Sequence, residues 1–263
     1  MSKVCNQLWE WKNKQAWAVQ ESLHPDIAVI TGASSGLGVK FLEAVIHRYP
    51  QLDEYWIIAR RKERLVKLAE AYKDKKIVPI EADLGDEKSY DKISERLEKD
   101  KPHVKVLINN AGYVKSGMFS DMSQEDILSM ISVNVKGMTM IQKTFLPYME
   151  KGSFTVITCS VSSFAPVPCQ TVYSASKKYI YYFGKALREE LLEKEINVLL
   201  LCPGNMDTEM NGSEVQIHFN EHWIWTYLQR RHWKRQRKEK VYILRVHFIN
   251  FTELSAGFSL HYG

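Results

Sequence analysis

The feature that most constrains this fold is an alternation that repeats from residue 27 to residue 202. Short apolar, largely β-branched runs are separated by amphipathic stretches of helical period. The runs are Ile27 to Thr31, Tyr55 to Ala59, Lys76 to Ala82, Val104 to Asn109, Phe154 to Cys159 and Asn197 to Cys202. The first helical pattern covers Leu37 to Tyr49, with Phe41, Leu42, Val45 and Ile46 on its apolar face. The second runs through Arg64, Leu65, Leu68 and Ala69, and the third carries Tyr90, Ile93 and Leu97. A long helix follows over about Gln124 to Met149, and another over about Tyr173 to Glu193. Strands that are apolar almost throughout have no face to show to water, so helices must cover both faces of the sheet they form. Strand–helix–strand crossovers make that sheet parallel. The pattern predicts an α/β fold, a doubly wound parallel sheet with helices on both faces. Ligands in such sheets bind at the carboxyl ends of the strands.

The turn after the first strand is Thr31-Gly32-Ala33-Ser34-Ser35-Gly36-Leu37-Gly38. Its glycines let the backbone turn tightly and approach a pyrophosphate, and the helix that follows offers free N–H groups and a positive end. A glycine-rich turn can also be a mere connection, but its place after the first strand of a repeating pattern favours nucleotide binding. The second strand ends Ala59-Arg60-Arg61, with no acid until Glu63. A carboxylate there would hold ribose hydroxyls, whereas a guanidinium pairs with a 2′-phosphate, so NADP(H) is preferred and NAD(H) is the second choice. The alternative is a solvated basic helix start, which suits the positive end of a helix poorly.

Tyr173 stands thirteen positions after Ser160 and four before Lys177. The i to i+4 step puts an ammonium beside a phenol on one helix face, favours the ionised phenol, and makes Tyr173 a candidate proton donor and acceptor.

Taken in order, these elements resemble the short-chain dehydrogenase/reductase family, in its single-domain branch, over about Asp26 to Met210. Thr31 to Gly38 matches the T-G-x-x-x-G-x-G dinucleotide loop, and Asp83 matches the acid after the third strand. Asn109-Asn110-Ala111-Gly112 matches the N-N-A-G element, Asn134 the asparagine of the long helix, and Pro203-Gly204 the P-G turn beside the nicotinamide. The resemblance implies a Rossmann-type sheet and a catalytic set of Asn134, Ser160, Tyr173 and Lys177. Tyr173 would protonate a carbonyl oxygen, Ser160 would hydrogen-bond that oxygen, Lys177 would hold the nicotinamide ribose, and Asn134 would hold a relay water. It also implies cofactor contacts from Gly32, Ser34, Ser35, Gly36, Leu37, Gly38, Arg60, Asp83, Leu84, Asn110, Ala111, Gly112, Tyr173, Lys177, Pro203 and Gly204. The expected reaction is NADPH-dependent reduction of a ketone or aldehyde to an alcohol, or the reverse. A likeness to bacterial reductases extends to Ala-Arg-Arg-x-Glu-Arg-Leu at Ala59 to Leu65. Phe164, Pro166, Val167 and Pro168 suggest an apolar pocket wall and a hydrophobic carbonyl substrate. The two long helices suggest a homodimer.

The ends of the chain differ from its middle. From Asn211 onward there are eight Lys/Arg against four Asp/Glu, so most of the net charge of +5 lies in the tail. Six of the seven tryptophans are near the ends, Trp9, Trp11, Trp17, Trp223, Trp225 and Trp233. Residues 211 to 263 do not continue the family pattern, which leaves the last strand of the sheet in question. A basic aromatic appendage for nucleic acid or an anionic membrane is one reading. The preferred reading is a shift of coding frame shortly after Met210. Synonymous back-translation of Tyr242 to Phe251, read two nucleotides later, permits Tyr-Thr-Pro-Gly-Ala-Phe-Tyr-Lys-Phe-Tyr, which resembles the family's last-strand segment. That reading gives no nucleic-acid or membrane partner and leaves a catalytically impaired, cofactor-binding remnant as the alternative function. Residues 1 to 25 form an N-terminal extension with no assigned role. The four cysteines, Cys5, Cys159, Cys169 and Cys202, form no C-x-x-C pair or metal spacing. No metal site is expected, and free thiols fit a reducing compartment. With no secretory h-region and no run of about 18 apolar residues, the expected location is the cytoplasm.

Overall fold

A computed structural model describes residues 24–204 of the 263-residue chain. The expected N-terminal extension and the atypical tail lie almost wholly outside these residues, as does any strand beyond the sixth. Six parallel strands, β1 (Asp26–Thr31), β2 (Glu54–Ala59), β3 (Ile77–Glu81), β4 (His103–Asn109), β5 (Phe154–Thr158) and β6 (Asn197–Leu201), form one sheet. Their spatial order is β3-β2-β1-β4-β5-β6. The order reverses between β1 and β4, and a crevice opens there beyond the strand ends.

Each central strand sends alternate side chains into two cores. From β1, Ala28 and Ile30 point to the face covered by α1 (Gly36–Arg48) and α2 (Lys62–Glu70), where Phe41, Leu42, Val45 and Leu65 are fully or almost fully buried. Ile27 and Val29 point to the opposite face. That face is covered by α3 (Lys88–Asp100), α5 (Met138–Phe145) and α6 (Thr171–Glu190), through residues such as Ile93, Ile141 and Ile180. Both faces are apolar because both are roofed, which is what the unbroken apolar runs demanded. β3 is the exception: only its inner neighbour pairs with it among the described residues, its burial is partial, and it accommodates Pro79 as an outer strand can.

The long helix expected over residues 124–149 is helical nearly throughout but not uniform. It comprises α4 (Gln124–Met130), a wider π-helical stretch (Ile131–Gly137), α5 and a 3₁₀ turn (Leu146–Tyr148). Two contacts with distant segments accompany the change. The backbone of Gly137 passes so close to the loop after β3 that a Cβ there would lie 2.6 Å from the Leu84 carbonyl oxygen. Asn134, in the same stretch, is fully buried and bonded to Tyr113 rather than turned outward. π-helical turns of this kind gather at functional sites.

Candidate active site

Thr31, the last residue of β1, ties the floor of the crevice together. Its hydroxyl accepts from the backbone N–H groups of Asn110 (2.9 Å) and Ala111 (3.0 Å) and donates to the Ile108 carbonyl at 3.4 Å. The Asn110 side chain returns the connection, donating to the Thr31 carbonyl (3.1 Å) and accepting from the Thr158 hydroxyl (3.2 Å). Three strand ends are thereby locked in register. Gly32 follows with φ of 68°, and a Cβ there would lie 2.9 Å from Ala111 Cα, so both conformation and space require glycine.

These strand ends border a cleft of about 670 Å³. On one side lie Gly32, Ser34, Ser35, Gly36 and Leu37 with Arg60, Asp83 and Leu84. On the other lie Asn110, Ala111, Gly112, Ser160, Tyr173, Lys177, Pro203 and Gly204. Two of the expected residues are not in its lining. Gly38 supports the turn from behind, where a Cβ would lie 2.1 Å from the Gly32 oxygen. Asn134 is buried, with its amide accepting from Tyr113 N–H (2.8 Å) and donating to the Tyr113 carbonyl (2.8 Å) and the Ser176 hydroxyl (3.1 Å). In this arrangement Asn134 fixes the chain at the cleft edge and links it to α6.

Lys177 is 4% exposed. Its ammonium donates to the Thr158 carbonyl at 3.1 Å and lies 5.7 Å from the ring centre of half-buried Tyr173. The helical step from 173 to 177 thus delivers the pairing read from the sequence. Ser160, at the end of β5, accepts from the Ser162 N–H (3.2 Å), with the two hydroxyls 2.8 Å apart. The adjoining Val161 N–H donates to the Pro203 carbonyl at 3.0 Å, joining the serine loop to the Pro203-Gly204 turn. Behind Ser160 and Pro203 lie Cys159 and Cys202, both buried. The neighbouring Cys202, assisted by the Lys177 charge, holds the Cys159 thiol below its usual value against burial, while Cys159 and burial push Cys202 up.

At the cofactor end, α1 suits a pyrophosphate: no side chain caps it at Ser35, and no acid occupies its first turn. Arg60 points toward Asp83, with 3.8 Å between Nη1 and Oδ2. Arg61 instead bridges to the loop, donating to Ser34 Oγ (3.1 Å) and Ser35 Oγ (2.8 Å). A pair of guanidinium groups beside two hydroxyls fits a phosphorylated ribose. Asp83 itself accepts from Gly85 N–H at 2.9 Å, and Tyr90 donates to the Leu84 carbonyl, holding this edge in place.

Arg61, Thr31, Thr158 and Tyr113 were not singled out as site residues from the sequence. Thr31 carried a signal, as the first residue of the glycine motif, and Arg61 carried one as part of the Arg60-Arg61 end of the second strand; Thr158 and Tyr113 carried none, because their roles depend on where neighbouring strand ends and loops lie. Tyr113 donates to Asp126 Oδ1 at 2.6 Å. That bond and a second from Ser123 hold the Asp126 carboxyl below its usual range, and the Asp126 bond, with burial, raises the Tyr113 phenol. Of the expected apolar wall, Val167 lines the cleft, joined by Val161 and Ala165, whereas Phe164, Pro166 and Pro168 do not border it; Phe164 packs edge-on against Tyr181 with ring centres 5.3 Å apart. Among the described residues there is no group of three or more acidic, histidine or cysteine side chains able to hold a metal, and no helix long and apolar enough to cross a membrane.

Comparison with known proteins gives a family. The short chain dehydrogenase family model matches residues 26–217. An uncharacterized oxidoreductase of Staphylococcus saprophyticus is 29% identical over 72% of this chain and 82% of its own length. The short-chain dehydrogenase from Sphingobium yanoikuyae, solved in complex with NADPH, superposes with a TM-score of 0.64 at 29% identity, covering 71% of this chain and 73% of that one. The bulky-bulky ketone specific alcohol dehydrogenase from Comamonas testosteroni gives 0.63 at 28% identity, over 78% and 82%.

Proposed function

The chain belongs to the short-chain dehydrogenase family and is an oxidoreductase of the NAD(P)-dependent kind; from that premise we propose that it interconverts a carbonyl and an alcohol with NADP(H), using Tyr173 as general acid and base. The observation that carries the reading is one cleft bounded by Gly32 and Ser34 to Leu37 of the glycine-rich turn on one side and by Ser160, Tyr173 and Lys177 on the other.

The chemistry that a nicotinamide dinucleotide supplies when bound is hydride exchange with the substrate carbon. The N-terminus of α1 with Gly32 and Gly36 would hold the pyrophosphate, Lys177 the nicotinamide ribose, and Asp83 the adenine. Arg60, Arg61 and Ser34 would hold a 2′-phosphate, which favours NADP(H) over NAD(H). In reduction, the Tyr173 phenol donates its proton to the substrate oxygen while the Ser160 hydroxyl donates a hydrogen bond to the same atom, stabilising the charge that develops there. Lys177 keeps a positive charge beside the phenol as the proton leaves. Val161, Ala165 and Val167 exclude water from one side of the pocket and suit a hydrophobic ketone or aldehyde, in keeping with the ketone named for the Comamonas enzyme. The apolar groups exposed on α4 to α6, Leu128, Ile131, Met140, Tyr179 and Tyr182, suit a homodimer through these helices.

NADPH consumption measured against a panel of aldehydes and ketones tests the reading. Turnover should vanish in Tyr173→Phe while NADPH still raises the melting temperature; retained turnover in that variant refutes the assignment. The departure of the tail after the family match ends at residue 217 favours a second reading, a chain that binds cofactor but turns over poorly. NADPH stabilisation without turnover, repaired by restoring the frame, identifies that case.

A further inference from the structure

β5 and β6 run parallel with Thr158 beside Leu201. The pairing continues one step, because the Cys159 N–H donates to the Leu201 carbonyl at 2.7 Å. Cys159 and Cys202 are therefore the next cross-strand pair, and both belong to the same core as Ile180 and Leu187. Neighbouring strands lie about 4.8 Å apart, within the roughly 4.4–6.8 Å Cα separation of disulfides. Neither thiol is bridged, and the Cys159 thiol donates to the Lys177 carbonyl at 3.1 Å. Cys159 borders the cleft and Cys202 does not.

We propose that Cys159 and Cys202 form a peroxide-sensitive dithiol whose oxidation to a disulfide disables the cleft. Cys159 is the attacking sulfur: of the two it alone belongs to the residues bordering the cleft, although only 2% of it is exposed, and its thiolate is favoured by Cys202 and Lys177. It bonds to one oxygen of hydrogen peroxide, the O–O bond breaks, and the hydroxide released takes up a proton to leave as water. The Cys159 sulfenic acid sits against Cys202, whose sulfur attacks it. The S–O bond breaks, the S–S bond forms, and the Cys202 proton leaves with the hydroxyl as a second water. The two sulfurs together lose two electrons and the peroxide gains them.

The bond acts on the cleft because each cysteine directly precedes a site residue, Ser160 just beyond β5 and Pro203 just beyond β6. Drawing the sulfurs to bonding distance removes the Cys159 hydrogen bond to the Lys177 carbonyl, 3.1 Å in the reduced protein, and shifts both strand ends. This effect on cofactor binding rests on the proposed function, whereas the disulfide chemistry does not. Cys169 is an internal control. It is exposed, its sulfur lies 3.8 Å from that of Met118, and it is not paired with a cysteine.

The full chain is treated with hydrogen peroxide, its remaining thiols are alkylated, and its peptides are mapped by mass spectrometry. The expected result is a Cys159–Cys202 linked peptide, reversed by dithiothreitol, formed more slowly with saturating NADPH. NADPH-induced thermal stabilisation should fall with the same time course. In Cys202→Ser the reaction should stop at a sulfenic acid on Cys159 that a dimedone probe traps. Oxidation of Cys169 alone, or pairing of Cys159 with Cys5 or Cys169, overturns the proposal. A linked peptide with unchanged NADPH stabilisation overturns its coupling to the cleft. If the reduced protein does not bind NADPH, the functional reading fails while the peptide map still decides the dithiol.

Discussion

Replacing Thr31 by valine keeps the shape of the side chain and removes one hydroxyl, yet that hydroxyl serves three partners. Two are backbone N–H groups, of Asn110 and Ala111, at 2.9 and 3.0 Å. The third bond, to the Ile108 carbonyl at 3.4 Å, is long and contributes little. Losing an acceptor for a buried donor costs about 1–3 kcal/mol, while a net hydrogen bond contributes only about 0.5–1.5 kcal/mol. Thr31 is fully buried, but Asn110 and Ala111 are only partly so, and water in the cleft can recover some of the loss. The expected cost is therefore about 2–4 kcal/mol, a large share of the roughly 5–15 kcal/mol that holds a domain together. With a urea slope of about 2 kcal/mol/M, the unfolding midpoint should fall by about 1–2 M at unchanged slope. Thr31→Ser keeps the hydroxyl and should lose about 1 kcal/mol or less, the value of a methyl group. A Thr31→Val loss below about 0.5 kcal/mol, within the scatter of neutral surface changes, would show that the strand ends do not depend on this hydroxyl.

Arg61→Ala should lower the preference for NADPH over NADH by roughly tenfold or more, the value of one lost charge-assisted contact; an unchanged ratio of the two Kd values removes Arg61 from the phosphate site. Gly38→Ala places a Cβ 2.1 Å from a backbone oxygen and should cost at least the roughly 1–3 kcal/mol typical of overpacking, by urea unfolding. Gly184→Ala meets side chains rather than backbone, Leu200 Cδ2 at 2.3 Å, Leu200 Cγ at 3.2 Å and Ile157 Cδ1 at 3.5 Å, and should cost less and leave cofactor affinity unchanged. Bonding to Lys105 holds the Glu150 carboxyl low against partial burial, and the Lys105 ammonium is raised by Glu150 and Asp26 although burial opposes it. A depressed carboxyl stabilises above its unfolded value and loses that contribution as pH falls through its folded one. A raised lysine stabilises below its unfolded value and loses the contribution as pH rises through its folded one. The pair should thus add up to about 1 kcal/mol near neutrality and nothing at either extreme, so Glu150→Gln and the wild type should converge in acid. Resequencing the gene should reveal a frame change after Met210; an intact frame encoding this same tail in close relatives would reject it.

The strands were legible because burial on both faces leaves an unbroken apolar run that few other structures tolerate. All six strands begin and end within one residue of the runs read from the sequence. The closeness of Tyr173 and Lys177 was legible because helical spacing is local: residues 173 and 177 share a face whatever surrounds them. What the sequence could not show was set by contacts between distant segments. The π-helical stretch depends on Gly137 meeting Leu84 and on Asn134 reaching Tyr113. Arg60 and Arg61 are chemically identical and adjacent, and only the turn after β2 decides that one faces Asp83 and the other the glycine-rich loop.

That distinction bears on what the unusual tail can alter. Every cofactor contact proposed for this chain lies within residues 32–204, and the strand ends that carry them are cross-tied by hydrogen bonds among Thr31, Asn110 and Thr158. Cofactor binding and turnover are therefore separable properties. NADPH-induced stabilisation should be the same for this chain and for a version with its frame restored, whereas a substrate pocket closed by the restored segment should change KM and kcat. If restoring the frame strengthens NADPH stabilisation more than tenfold in Kd, about 1.4 kcal/mol, then the segment after residue 204 belongs to the cofactor site as well. The cleft described here would then be only part of it.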